Sequence, residues 1–134
     1  LKKRDWKNFF INAGGDACAA GRNAKGEKWK LPIEGAREKN AAVYISNQGV
    51  ATSGVIKKQW KHKGKSVHHL INPKNPGKFS FEIRSVLVFH KKTEWADGRA
   101  KVLVLMGEKK GMVFAKKKKL RAIFVDRKRK IILS

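Results

Sequence analysis

The segment from Phe79 to Phe89 constrains this chain more than any other. Phe79, Phe81, Ile83, Leu87 and Phe89 occur at alternate positions, with Ser80, Glu82 and Arg84 between them. Successive side chains leave a strand on opposite faces, so this alternation predicts a β-strand with one apolar side. Val86 and Val88 make the second side apolar as well, which places the far end of the strand centrally in a sheet. Such a strand needs hydrogen-bonded neighbours along both edges and a covering layer from elsewhere in the chain.

The neighbours are predicted from turn chemistry. Ala41 to Ser46 reads as a short strand followed by an Asn47-Gln48-Gly49 turn. Thr52 to Pro73 reads as a hairpin, opened by Ser53-Gly54, reversed at Lys63-Gly64 and closed by Asn72-Pro73. Lys74-Asn75-Pro76-Gly77 is a turn. Thr93 to Arg99 reads as a loop, with Asp97-Gly98 as its turn. Lys101–Met106, Gly107–Gly111 and Met112–Ala115 then give a hairpin with a basic tip. A last hairpin runs through Leu120–Val125, the turn Asp126–Lys130 and Ile131–Leu133.

The covering layer is expected at the other end of the chain. Trp6, Phe9, Phe10, Ala13, Ala17 and Ala20 follow helical spacing, so Arg4 to Ala20 is predicted to be an amphipathic helix, although Gly14 and Gly15 weaken it. Residues 21–40 read as a mobile linker anchored by little more than Trp29, Leu31 and Ile33. The expected fold is α+β in one domain, residues 1–134. One N-terminal helix packs on a mainly antiparallel sheet of about six strands with basic hairpin tips.

Charge bounds the partners. The 134 residues carry 33 Lys and Arg against 10 Asp and Glu, a net charge of +23. A field of that size concentrates polyanions, of which nucleic acid is the commonest. One cluster is Lys57, Lys58, Lys61, Lys63 and Lys65 in the central hairpin. A second comprises Lys109 and Lys110, the run Lys116, Lys117, Lys118 and Lys119, and Arg121, followed by Arg127, Lys128, Arg129 and Lys130. Both are read as phosphate-binding surfaces with little sequence preference, and no cofactor or metal is expected. The single cysteine, Cys18, excludes an internal disulfide framework. No apolar run is long enough to span a bilayer.

Candidate chemistry centres on histidine. His68 and His69 in a basic hairpin, with His90 later, are similar in outline to His-Asn-His nucleases, in which a histidine activates water beside a metal. Adjacent histidines on a strand face opposite ways, so only one of His68 and His69 would serve. A second nuclease pattern, an acid followed by Glu-x-Lys on a strand, is matched by Asp97 and Glu108-Lys109-Lys110. No acid lies between Glu38 and Glu82 to orient a hairpin histidine, which argues against the first pattern, and Glu108 reads as part of a turn beside Gly107, which argues against the second.

One ordered set of features resembles the tail-completion and neck proteins of tailed phages, including the HK97-like minor tail component. It comprises the Arg4–Ala20 helix, Gly26-Glu27-Lys28-Trp29, the stretch Thr52 to Trp60, and Ile71-Asn72-Pro73. The resemblance implies a non-enzymatic ring subunit, a homo-oligomer contacting nucleic acid and other virion subunits, located in the virion or host cytoplasm. The competing expectations are a basic, toxin-like nuclease and a ribosome-associated RNA-binding protein.

Overall fold

The computed structural model describes residue 1 and residues 4–134. The fold is α+β: an antiparallel sheet of six strands carries one long helix. In chain order the elements are β1 Phe9–Ala13, β2 Asp16–Ala20, β3 Trp29–Pro32, β4 Ala42–Ile45 and β5 Gln48–Gly54. There follow β6 Gln59–His62, β7 Lys65–His68, β8 Ile83–His90, α1 Thr93–Lys117, β9 Arg121–Asp126 and β10 Ile131–Leu133. The main sheet has the order β1-β2-β5-β8-β9-β10, while β3 pairs with β4 and β6 with β7 as two-stranded ribbons.

β8 is the central strand, as its composition predicts, but its faces are not divided as simple alternation requires. A bulge between Ile83 and Ser85 leaves Arg84 as an extra residue against β9. Ile83, Val86 and Val88 therefore join the same core layer as Ala100, Leu103 and Val104 of α1. Leu87 faces the other way, into a second layer with Val50 and with Leu31 and Ile45 of the β3–β4 ribbon. The strand also starts at Ile83, so Phe79 and Phe81 precede it. The carbonyl of Arg84 receives the Val55 amide at 3.0 Å, which ties the exit of β5 to the bulge.

The predicted N-terminal helix is instead the β1–β2 hairpin. Gly14 and Gly15 both have positive φ, 68° and 109°, which a tight hairpin turn demands and a helix forbids. Asn12 Oδ1 accepts the Gly15 amide at 3.1 Å and closes the turn. Alanines serve a strand as readily as a helix here, because Ala17 and Ala19 are buried under the small clearance of the β3–β4 layer. The stretch expected to be a mobile linker supplies β3. Trp29 stacks on Phe10 with ring centroids 5.7 Å apart and donates its indole N–H to the Ala20 carbonyl at 2.9 Å.

The one helix lies where a loop and a hairpin were expected. Its buried residues, Ala96, Ala100, Leu103, Val104, Gly107, Gly111 and Ala115, recur at three- and four-residue steps. Gly107 interrupts it with φ 74° and ψ 179°, and Gly111 packs so close to Phe124 that an added Cβ would sit 3.2 Å from the ring. The continuous Val102–Met106 run hides this period, since a buried strand and a buried helix segment look alike over so short a length. The two turn-defined hairpins, reversed at Lys63-Gly64 and between Asp126 and Lys130, fall where their turn residues place them. Among the described residues no helix is long and apolar enough to cross a membrane.

Phe124 is fully buried between β8 and α1. Phe124→Ala is expected to destabilise the fold by about 3–5 kcal/mol in urea titration. Phe81→Ala, on a partly exposed side chain outside the strand, should cost clearly less.

Candidate active site

The β6–β7 ribbon and the segment that follows it hold His68 and His69, in unlike settings. His68 ends β7 and is 3% exposed, held between Phe79 and Phe81, whose rings meet it edge-on at 5.2 and 5.0 Å. Its Nε2 lies 3.1 Å from the Ser80 carbonyl, so that nitrogen carries the proton. The other nitrogen, Nδ1, is buried without a hydrogen-bond partner. Burial pushes the His68 pKa below the ordinary histidine value, and the Ser80 carbonyl offsets that only in part.

His69 is exposed, and its Nδ1 lies 3.3 Å from the Lys58 carbonyl, whose oxygen also accepts the His69 amide at 3.1 Å. A carbonyl can only accept, so Nδ1 is the protonated nitrogen and Nε2 keeps its lone pair. His90 lies at the end of β8, where its Nδ1 receives the Lys92 amide at 3.0 Å. The three sequence candidates thus separate into a packed histidine (His68), a turn-bound histidine whose Nδ1 accepts (His90), and His69, whose Nδ1 donates and whose Nε2 keeps its lone pair.

A second cluster joins parts of the chain far apart in sequence. Asp16, the first residue of β2, faces Asp97 and Lys101 of α1. Lys101 Nζ pairs with Asp97 Oδ1 one helical turn away. Burial and then the Asp97 charge push the Asp16 carboxyl up, while Lys101 and the Thr52 backbone hold it back. Sequence reading missed this cluster. Asp97 and Lys101 have the four-residue spacing of a helical ion pair, but that signal disappears once the segment is taken for a loop. Glu108 and Lys110 lie farther along the same helix and not on a strand, so the acid plus Glu-x-Lys arrangement does not form. Among the described residues no three His, Cys, Asp or Glu side chains gather as metal ligands.

The basic residues occupy several settings. Lys57, Lys58, Lys61, Lys63 and Lys65 belong to the β6–β7 ribbon and its approach, with Lys57 paired to Glu34 at 3.0 Å. Lys109, Lys110, Lys116 and Lys117 are on α1, the last two in the turn where cations meet the helix's negative end. Lys118 and Lys119 close the helix, and the Arg121 guanidinium lies over the Phe89 ring at 5.1 Å. Lys128, Arg129 and Lys130 form the β9–β10 turn. Arg127 reaches toward the ribbon, lining an open cleft of about 480 Å³ with Gln59, Ser66, Lys78 and Phe79 to Glu82.

Both shifted groups make stability depend on pH, with opposite signs. The fold favours neutral His68, so its contribution is complete above about pH 6.5 and is lost as the pH falls below that value. The fold also favours protonated Asp16, so that contribution is complete below about pH 3.8 and is lost as the pH rises. Thermal melts of His68→Gln should therefore show a flatter slope than the parent between about pH 7 and 5. Asp16→Asn should melt at or above the parent temperature at neutral pH.

The ApbE family model matches residues 1–124. A FAD:protein FMN transferase of Haemophilus influenzae is 29% identical over 132 residues, covering 95% of this chain and 38% of that protein. One from Klebsiella pneumoniae is 30% identical over 137 residues, covering 100% of the chain and 42% of the relative. The flavin transferase of Vibrio cholerae superposes with a TM-score of 0.80 at 25% identity, over 100% of this chain and 44% of that one. The Pseudomonas stutzeri flavinyl transferase gives 0.79 at 26%, over 96% and 41%. The chain therefore spans well under half the length of the relatives it matches. These findings overturn the phage tail resemblance, whose motifs covered only part of the chain. Its Arg4–Ala20 helix is a hairpin, and its Thr52–Trp60 motif is split between β5 and β6. The structural-subunit, nuclease, ribosomal and nucleic-acid-partner expectations fall with it, because net charge fixes the sign of a partner and not its class. With both its sequence over residues 1–124 and its path through sheet and helix shared with these proteins, the chain belongs to the ApbE family.

Proposed function

We propose that this chain is part of an enzyme that transfers FMN from FAD onto a protein. The family match over residues 1–124 carries the reading, supported by relatives named for that activity in sequence and in structure. The transfer implied by those names breaks the anhydride between the two phosphorus atoms of FAD. A nucleophilic side chain of the acceptor attacks the FMN phosphorus, the new bond forms there, and AMP departs with the bridging oxygen.

His69 is the group in this chain best arranged to take the proton the nucleophile gives up. Its Nδ1–H is committed to the Lys58 carbonyl, which leaves Nε2 as an exposed acceptor. His68 is unsuited to that step, being buried and packed between two rings. Phosphoryl transfer also needs positive charge beside the reacting phosphates, and Lys58 adjoins His69 through its backbone.

Incubation with FAD and an acceptor protein should release AMP and leave flavin covalently attached to the acceptor. His69→Ala should slow both by about 10²–10⁴-fold while retaining the parent melting temperature. Absence of both products from the unmodified protein would overturn the proposal. A His69→Ala variant of undiminished rate would remove His69 from it.

A further inference from the structure

The β6–β7 ribbon projects from the main sheet, and its base alone is embedded, through Val67 and His68. Residues 59–66 are exposed throughout. The tip is a two-residue turn in which Lys63 and Gly64 both take positive φ, 47° and 75°. Such turns favour asparagine, aspartate or glycine, and a long side chain in the left-handed region is strained. Lysine at this position gives up local stability for a charge.

Two more lysines flank the tip. His62 stands directly across from Lys65, and Lys61 lies beside them across from Ser66. The two pairs lie on opposite faces of the ribbon, so the tip presents a lysine on each face and one at the turn. Lys61, Lys63 and Lys65 form no ion pair among the described residues. In this they are like most cations of the described residues; the exceptions include Lys57 with Glu34, Lys101 with Asp97, and Arg99 and Arg121 over aromatic rings. Trp60, 53% exposed, stands next to the lysine group and supplies an apolar anchor without a partner of its own. The base of the same ribbon leads into His69, fixed to the Lys58 carbonyl.

We propose that the β6–β7 ribbon is the docking arm for the acceptor protein, engaging an acidic segment of it through Lys61, Lys63 and Lys65 with Trp60 as the apolar contact. This rests on the flavin-transferase reading and names the chemistry of its acceptor. An anionic partner supplies the counter-charge that the tip lysines lack among the described residues, and binding there holds the acceptor at the ribbon whose base leads to His69. Long-range attraction between the two also speeds encounter, and salt weakens it.

The test uses a fluorescein-labelled glutamate-rich peptide containing one leucine, titrated by anisotropy, with a glutamine-for-glutamate peptide as the neutral control. The triple variant Lys61→Glu, Lys63→Glu, Lys65→Glu should bind the acidic peptide at least about tenfold more weakly than the unmodified protein. A charge-matched variant, Lys109→Glu, Lys110→Glu, Lys116→Glu, should lose much less. Added acidic peptide should raise the KM for an acidic acceptor in the transfer assay without changing the KM for FAD. Equal losses in the two triple variants, or equal affinity for the neutral peptide, would overturn the proposal. So would tighter, ribbon-dependent binding of a duplex DNA of equal charge. The titration needs no turnover, so a missing transfer activity would count against the flavin reading and an arm-independent titration against the docking site.

Discussion

β8 is paired along both edges, with β5 on one side and β9 on the other, and covered on both faces. A backbone enclosed in this way must find all its hydrogen bonds within the protein, because water cannot reach it. The antiparallel ladders to β5 and β9 meet that demand, and the apolar side chains they align then require cover. α1 covers one face and the β3–β4 ribbon the other. The small residues elsewhere follow from this. Ala17 and Ala19 let the ribbon approach, and Gly111 lets α1 settle against Phe124. Glycine at position 49 likewise leaves room for the start of the helix, since an added Cβ would lie 2.9 Å from the Thr93 amide.

Those small residues are also where the sequence was least legible. Alanine and glycine carry almost no hydrophobic contrast, so the buried stripe of α1, built largely from Ala96, Ala100, Gly107, Gly111 and Ala115, shows weakly beside the Val102–Met106 run. The Ala-rich segment 13–20 has the complementary ambiguity and took helical spacing from residues that lie on two strands. Turn chemistry was more informative because it is local. Lys63-Gly64 and the turn after Asp126 specify reversal with no reference to the rest of the chain. The bulge at Arg84 had no such signature, and with Arg84 counted as a regular strand residue Ile83 and Val86 read as lying on opposite faces.

The candidate site was legible in its residues and not in its arrangement. The histidine doublet was visible, and opposite orientations followed from strand geometry. Which of the two is packed away depends on Phe79, Phe81 and Ser80, which return to His68 from the next segment. Asp16 and Lys101 meet only because the β1–β2 turn and α1 abut the same strand, so their proximity is a property of the tertiary fold. Composition announced a polyanion-seeking surface without distinguishing a nucleic acid from an acidic polypeptide or a flavin nucleotide.

The bulge in β8 has an architectural consequence. With Arg84 omitted, plain alternation would still place Phe81, Ile83, Val86 and Val88 on the helix side, so the extra residue is not needed to sort the core. What it adds is a local bend in the strand, beside the point where the Arg84 carbonyl accepts the Val55 amide one step beyond the Gly54–Ser85 pair. That bond fixes the direction in which the chain leaves β5 for the β6–β7 ribbon. The bulge therefore works as a mounting bracket. A chain shortened by one residue there would keep its interior and lose the aim of its projecting arm, so natural variation in length at this point would be felt at the surface, not in the core.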